Sequence, residues 1–262
     1  MALCDWQSYG QGPDLVLIHG WGMNSAVWSL ILPYLTANYR VHCVDLPGFG
    51  LSPAQPGLDL EQLAQVLLKE SPAQATWLGW SLGGLVATQA ALLAPHRLTG
   101  LVTVASSPKF VAEPGWRGIK PAVLNAFASQ LEQDFSLTVE RFMALQAMGS
   151  PTAKKDIKAL KQAVFSRPAP DPQALADGLQ ILASADLRQA CQSIRLPWLR
   201  LYGRLDGLVP VAVAGQMDAW VPHSPSEVFA HSAHAPFVTE PDGVVDRLTA
   251  FLATNCRPDC AR

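Results

Sequence analysis

Charge and cysteine are both scarce in this chain of 262 residues. Charged residues make up 15% of the chain, and 19 Lys and Arg against 21 Asp and Glu leave a formal net charge of −2. A nucleic-acid-binding domain normally carries a clear excess of basic residues, so this composition argues against a nucleic-acid partner. The hydrophobic residues, 49% of the chain, are instead enough for a large folded core.

The five cysteines are odd in number and scattered, which argues against a disulfide framework. They are Cys4, Cys43, Cys191, Cys256 and Cys260. The first residues also lack the basic segment and apolar stretch of a secretory signal. We therefore expect a reducing, cytoplasmic location, and we expect the last two cysteines to belong to a frayed terminus rather than to a metal site.

Long apolar runs and metal-ligand clusters are missing as well. No run approaches the roughly 18 consecutive apolar residues that a membrane-spanning helix needs. No group of His, Cys and carboxylate residues has the spacing of a metal site, and neither common nucleotide-binding glycine pattern occurs. The sequence therefore predicts no membrane association, no metal and no cofactor.

What the chain does contain is an alternation of apolar, strand-like segments with helical ones. The strand-like segments are DLVLIHG, RVHCVDLPG, ATWLGWS and RLTGLVTVASSP, followed much later by LPWLRLYG and SEVFA. Strands that are apolar nearly throughout and joined by short links predict a mostly parallel central sheet with helices on both faces. Between residues 109 and 192 the sequence instead shows helical segments without a strand. This predicts a core of residues 1–108 and 193–262 with a helical lid, 109–192, inserted between strands.

The pentapeptide Gly79-Trp80-Ser81-Leu82-Gly83 lies where a predicted strand gives way to a predicted helix. A serine between two glycines is either part of an ordinary tight turn or a nucleophile raised above the sheet on a sharp turn. The second interpretation requires the strand before it and the helix after it. Because both are present, the sequence favours Ser81 as a nucleophile.

A serine nucleophile needs a general base, and the base needs an acid that orients it. Of the six histidines, His234 fits best because it follows the last predicted strand, at the end of the sheet where such folds bind their ligands. His231 is the nearby alternative. For the orienting acid we favour Asp206, in the loop after the strand that follows the lid, and we expect Asp45 to serve a turn.

Two backbone N–H groups are candidates for binding the oxyanion of an acyl-transfer reaction. One belongs to Leu82, directly after Ser81, and the other to Trp21 in the loop HGWG after the first long strand. Glycines on both sides of Trp21 allow this loop to approach closely. An ordinary glycine turn is the alternative, but the loop is predicted to lie at the same end of the sheet as Ser81.

Taken together, LIHGWG, VDLPGFGLS, GWSLGG, DGLVP and HAPF resemble the α/β-hydrolase superfamily across nearly the whole chain. The order Ser81, Asp206, His234 is also the one expected on that sheet. Within the superfamily, GWSLGGLVA, LVTVASSP, GIKP, TVERFMALQ and LRLYGRLDGLVP closely resemble the pimeloyl-[acyl-carrier protein] methyl ester esterases of biotin synthesis. The resemblance implies an α/β-hydrolase fold and a serine carboxylesterase that releases methanol.

The resemblance also implies a substrate pocket and a partner. The residues matching the pocket are Trp21, Ser81, Leu82 and Phe142. The expected partner is an acyl-carrier protein bearing a pimeloyl methyl ester. We expect the chain itself to be a monomer. A broad short-chain carboxylesterase without a carrier-protein partner is the alternative, and only the lid separates the two.

The lid is locally basic although the chain is slightly acidic. Lys154, Lys158 and Lys161 recur at helical spacing and predict one basic face, which in isolation would be read as a solvated surface. A carrier protein is acidic, and the resemblance implies that it docks on Arg141, Lys154 and Lys158. Leu137 stands where a relative within this group carries an arginine. Lysine also replaces arginine at two of the matched positions, which removes bidentate phosphate geometry and predicts weaker or differently arranged docking.

Overall fold

A computed structural model describes residues 2–131 and 134–255 of the chain. Cys256 and Cys260 lie outside the described residues. Seven strands form a single sheet: β1 Asp5–Tyr9, β2 Asp14–Ile18, β3 Arg40–Asp45, β4 Ala75–Trp80, β5 Leu98–Val104, β6 Trp198–Gly203 and β7 Ser226–Phe229. The α-helices of the described residues are α1 Leu32–Leu35, α2 Leu60–Glu70, α3 Leu82–Leu93, α4 Pro121–Leu131, α5 Phe135–Ala147, α6 Ala153–Val164, α7 Pro172–Ser184, α8 Ala212–Trp220, α9 Pro236–Thr239 and α10 Pro241–Asn255.

The sheet has the strand order β1-β3-β2-β4-β5-β6-β7. Only the pairing of β1 with β3 is antiparallel among these strands, and the others run parallel. The prediction of a mostly parallel sheet with helices is therefore confirmed. The antiparallel edge strand β1 was not predicted. Its sequence, DWQSY, is polar and at most half-buried, so it carries no apolar strand pattern.

Strand β4 and helix α3 form the centre of the core. All six residues of β4 are buried, and nine of the twelve residues of α3 are buried as well. Helix α2 closes over them with its apolar side, and it begins at Asp59 with a capping box completed by Gln62. A helix that is apolar nearly all round, as α3 is, is stable only inside a core. The turn joining β4 to α3 is therefore fixed by buried elements on both sides.

The segment 24–35 differs from the single helix that its apolar spacing predicts. Asn24 caps it as expected, by accepting a hydrogen bond from the Ala26 N–H, but a 3₁₀-helix forms over Ser25–Leu30 and α1 is separate. Pro33 explains the break, because proline has no N–H to continue a helix and is tolerated only in a first turn.

Helices α4 to α7 lie between β5 and β6 and within the predicted insertion, 109–192. This helical insertion is tied to loops of the core by backbone and side-chain hydrogen bonds. The Asp171 N–H donates to the Gly48 carbonyl at 2.8 Å, and the Asn24 amide donates to the Val164 carbonyl at 3.0 Å. None of the described helices combines the length and the apolar character needed to cross a lipid bilayer.

Candidate active site

Ser81 occupies a strained turn between β4 and α3. Its backbone has φ 55° and ψ −117°, a positive φ that non-glycine residues rarely adopt. Hydrogen bonds hold it there. The Ser81 N–H donates to the Val104 carbonyl at 2.9 Å, and the Ser81 carbonyl accepts from the Ser106 hydroxyl at 2.8 Å and from the N–H groups of Gly84 at 2.9 Å and Leu85 at 3.3 Å. The surrounding structure therefore fixes a conformation that the serine would not keep by itself.

The flanking glycines allow this turn because the backbone passes very close to them. A Cβ atom on Gly79 would overlap the Gly83 carbonyl group, and one on Gly83 would overlap the carbonyl oxygens of Ile18 and His19. The two glycines are thus required by close contact between β4, α3 and the end of β2. This contact also brings the loop after β2 next to Ser81.

Ser81, His234 and Asp206 are brought together in one hydrogen-bonded chain. The Ser81 Oγ lies 2.8 Å from His234 Nε2, and His234 Nδ1 lies 2.8 Å from Asp206 Oδ2. The other oxygen, Asp206 Oδ1, accepts from the N–H groups of Leu208 at 2.8 Å and Val209 at 3.0 Å. A carboxylate only accepts, so the proton of the neutral imidazole lies on Nδ1 and leaves Nε2 free to take the serine proton.

The segment carrying His234 is braced by both the core and the insertion. Trp80 Nε1 donates to the His234 carbonyl at 2.7 Å, and the His234 N–H donates to the Gln146 carbonyl of α5 at 2.9 Å. Ser81, Asp206 and His234 are each at most 5% exposed. The reactive groups are therefore enclosed, and one wall of the enclosure belongs to the insertion.

Of the two predicted oxyanion donors, Leu82 directly follows Ser81, and Trp21 directly follows Gly20, where an added Cβ would lie 3.2 Å from the Cβ of Ser81. Within the described residues, neither the Trp21 N–H nor the Leu82 N–H has a hydrogen-bond acceptor. Trp21 is fixed by its indole N–H, which donates to the Leu175 carbonyl of α7 at 2.8 Å, and by edge-on contact with Phe142 at 4.7 Å between ring centroids. Phe142, the predicted pocket residue of the insertion, is 1% exposed.

The alternatives for base and acid lie elsewhere. His231 is exposed and donates its backbone N–H to Glu240 at 3.0 Å. Asp45 is buried, accepts from the Leu51 N–H at 2.8 Å, and forms an ion pair with Arg167 of the insertion at 3.1 Å. Asp45 therefore stabilises the loop after β3, as expected of a turn residue, and also anchors the insertion, which the sequence did not predict.

His19 has a structural position that the sequence only partly indicates. Its Nδ1–H donates to the Gly20 carbonyl at 2.8 Å, and its Nε2 accepts from the Leu46 N–H at 3.0 Å. Burial lowers the pKa of this imidazole, so it stays neutral. Both nitrogens are occupied by backbone groups, and His19 therefore joins the loop of Trp21 to the loop after β3.

The predicted basic face is smaller than its spacing suggests. Arg141 of α5 and Lys154 and Lys158 of α6 are exposed. Lys161, by contrast, forms an ion pair with Glu140 of the neighbouring helix at 3.0 Å. Among the described residues the other three cations form no ion pair, and the same holds for Lys155, which is also exposed on α6. Across the described residues, no cluster of three or more His, Cys, Asp or Glu side chains is placed to hold a metal ion.

Comparison with known proteins gives a family and a set of relatives. A family model described as the alpha/beta hydrolase fold matches residues 13–241. A pimeloyl-[acyl-carrier protein] methyl ester esterase of Photobacterium profundum is 63% identical over 251 residues, which cover 96% of this chain and 98% of that protein. The protein of the same name from Vibrio parahaemolyticus is 63% identical over 237 residues, 90% of this chain and 93% of that one. A solved esterase from Exiguobacterium antarcticum shares the fold, with a TM-score of 0.85 at 23% identity over 96% of both chains.

Proposed function

This chain belongs to the α/β-hydrolase family, and from that membership we propose that it is a serine carboxylesterase that converts pimeloyl-[acyl-carrier protein] methyl ester to pimeloyl-[acyl-carrier protein] and methanol, a step of biotin biosynthesis. The observation that carries the chemistry is the buried chain of hydrogen bonds from Ser81 through His234 to Asp206. The substrate is supported by the name of relatives that are 63% identical over nearly the whole chain.

In the first half of the reaction, Ser81 Oγ attacks the carbonyl carbon of the methyl ester while its proton passes to His234 Nε2. Asp206 holds the imidazole in the tautomer that can accept this proton, and it stabilises the imidazolium that forms. The negative charge moves onto the carbonyl oxygen. The N–H groups of Trp21 and Leu82, which have no other acceptor in the described part of the chain, stabilise this oxyanion. Each such donor contributes about 2.7–4 kcal/mol to transition-state stabilisation.

Collapse of the tetrahedral intermediate breaks the bond to the methoxy group. Methanol leaves with the proton from His234, and the acyl group remains as an ester of Ser81. A water molecule then attacks the acyl-enzyme, with His234 again as general base. The free carboxylate departs and Ser81 regains its proton, so the enzyme returns to its starting state without a cofactor.

The insertion, residues 109–192, acts as a lid over this chemistry. Phe142 packs on Trp21 and Phe127 packs on Phe142, with 5.5 Å between their ring centroids, so the wall of the site beside the oxyanion donors is aromatic. An apolar wall suits the methylene chain of a pimeloyl group. It also keeps bulk water away from the charges that develop during the reaction.

Docking of the carrier protein is assigned to Arg141, Lys154 and Lys158. Their side chains are exposed on the outer surface of the same two helices that cover the site. An acidic carrier protein would be steered to them by long-range attraction, which salt screens. Such steering would bring the carrier to the helices that cover Ser81, while the chain as a whole keeps a slight negative charge.

A rate comparison tests the proposal. Purified protein is assayed on the carrier-bound methyl ester and on p-nitrophenyl butyrate at several salt concentrations, with Ser81→Ala as the inactive control. We expect a strong preference for the carrier-bound ester that shrinks as salt rises. Equal use of both esters without salt dependence would leave Ser81 as the nucleophile and make the protein a broad short-chain esterase. Activity that survives in Ser81→Ala would refute the serine mechanism itself.

A further inference from the structure

A second buried carboxylate lies in the insertion, outside the group formed by Ser81, His234 and Asp206. Asp156 is on the inner side of α6 and is 3% exposed. Its oxygens accept hydrogen bonds from the hydroxyls of Ser150 at 2.8 Å, Thr152 at 2.9 Å and Thr239 at 2.9 Å. Among the described residues no cationic side chain pairs with it. Three hydroxyl groups and the N-terminal turn of α6, which contains Asp156, therefore compensate the loss of its hydration.

One of these three hydroxyls belongs to the segment that carries His234. Thr239 is the last residue of α9, which starts two residues after His234, and its N–H donates to the Ala235 carbonyl at 3.2 Å. The insertion thus contacts this segment through polar groups at both ends. At one end the Gln146 carbonyl accepts from the His234 N–H at 2.9 Å, and at the other Asp156 accepts from Thr239.

Simple packing between α6 and α9 does not require such an arrangement. A buried carboxylate without a counter-ion carries a desolvation penalty that an apolar pair of similar volume avoids. What the polar contact adds is direction, because a hydroxyl donor and a carboxylate acceptor fix both distance and angle. A directional contact is useful where the position of a neighbouring group must be held closely, as it is for a general base.

We propose that Asp156 is a positioning residue, which fixes the His234 segment against α6 through Thr239 and so aligns His234 Nε2 with Ser81 Oγ. The inference rests on the proposed function, in which His234 is the general base. It also links the two sides of α6, because Lys154 and Lys158 are exposed on the outer side while Asp156 is buried on the inner side. A carrier protein bound to the lysines would therefore contact the same helix that positions His234.

Thr239→Val provides the test, because it removes the hydroxyl and keeps the shape of the side chain. On p-nitrophenyl butyrate we expect kcat to fall about tenfold, with KM within about twofold, since misplacement of a catalytic group lowers the rate of the chemical step more than it weakens binding. Thr239→Ser retains a hydroxyl and should restore most of kcat. Thr249→Val is the matched control, because the half-buried Thr249 only donates to carbonyls within α10, such as that of Val245 at 2.8 Å.

Asp156 is then tested together with its partner. Asp156→Ala alone and combined with Thr239→Val should give nearly the same kcat, because Asp156→Ala already breaks the contact that Thr239→Val removes. The near-ultraviolet circular dichroism of each variant shows whether its fold is kept. If Asp156→Ala does not fold, the Thr239 pair still decides.

Two results would overturn the inference. One is a wild-type kcat in Thr239→Val, and the other is an equal loss of kcat in Thr249→Val. Failure of the proposed function looks different, because Ser81→Ala would then keep its activity. An inactive Ser81→Ala beside a fully active Thr239→Val would leave the esterase mechanism in place and remove only the role of Asp156.

Discussion

Two histidines of this chain are fully buried near the same end of the sheet, yet their surroundings differ completely. His19 follows β2 and His234 follows β7, and each is 0% exposed. His19 gives both ring nitrogens to the backbone, at Gly20 and Leu46. His234 instead lies between a carboxylate and a hydroxyl, at Asp206 and Ser81.

The difference shows that a buried imidazole becomes a base through its partners rather than through burial. At His19 no carboxylate accepts an imidazole proton, and burial lowers the pKa, so taking up a proton would be unfavourable. At His234 the Asp206 carboxylate already accepts the Nδ1–H, and it would stabilise the charge that follows proton uptake at Nε2. The first histidine therefore holds two loops together, and the second can cycle a proton.

The strongest challenge to this comparison is to remove each imidazole in turn. We expect His234→Ala to lower kcat by about 10⁴-fold or more, because Ser81 loses its base. His19→Ala should lower kcat less than about tenfold but reduce the free energy of unfolding by about 2–4 kcal/mol, since it leaves a cavity and a buried N–H of Leu46 without an acceptor. Urea unfolding and steady-state kinetics measure the two effects. A similar kcat in both variants would contradict a structural role for His19 and a general-base role for His234.

Asp206→Asn sharpens the comparison at the partner. An amide can donate to His234 Nδ1, and the imidazole proton would then lie on Nε2. A protonated Nε2 can no longer accept the proton of Ser81. We expect kcat to fall by about 10⁴-fold with little change in the folded structure. The pH–rate profile and circular dichroism of the variant check both parts. A loss below about tenfold would mean that Asp206 does not control the tautomer.

The pH dependence of stability tests His19 alone. Because its pKa is lowered in the folded protein from an ordinary value of 6.5, the unfolded chain takes up a proton that the folded chain does not. The contribution of His19 to the free energy of unfolding is therefore complete above pH 6.5. It declines as the pH falls below 6.5, by at most about 1.4 kcal/mol per pH unit.

His19→Gln should remove this part of the decline, because glutamine does not titrate. The measurement is urea unfolding of both proteins at pH 7.5, 6.5 and 5.5. Parallel curves for wild type and variant would show that His19 is not held neutral by the fold.

The smallest effect concerns the outer surface of the insertion. Lys154→Glu with Lys158→Glu should raise KM for the carrier-bound ester about threefold to tenfold, and the difference should shrink at high salt. Lys69→Glu, on the exposed side of α2, matches the charge change of either lid substitution made singly and should leave the substrate preference unchanged. The ratio of kcat/KM for the carrier-bound ester to that for p-nitrophenyl butyrate is the measurement. An equal effect of all three lysines would point to net charge rather than to docking.

Local sequence predicted the central strands and the strained turn well, for a physical reason. The conformation of Ser81 depends on glycines two residues away on each side and on an apolar strand and helix next to it, all of which are visible in one short stretch. The same holds for Asp206 and His234, which follow recognisable strand patterns and lie together because parallel strands end at one edge of a sheet.

Contacts between distant segments could not be predicted in this way. The spacing of Lys161 placed it on a basic face, but it forms an ion pair with Glu140 of the preceding helix. Nothing in the sequence near Asp45 indicates that Arg167 pairs with it, and the backbone contact of Gln146 with His234 depends on a carbonyl that every residue has. Such contacts are set by how helices pack, which a single sequence does not state.

The positive φ of Ser81 limits the fraction of molecules in which such a turn would form by itself. A non-glycine residue in such a region is disfavoured by about 1–3 kcal/mol, so an isolated turn would hold the serine upright in only about one molecule in 5 to 150. In the folded chain the hydrogen bonds to Val104, Gly84 and Ser106 remove the competing conformers before any substrate arrives. The folded chain thus holds the Ser81 hydroxyl toward His234. The sheet therefore selects one conformation of the turn as well as supporting it.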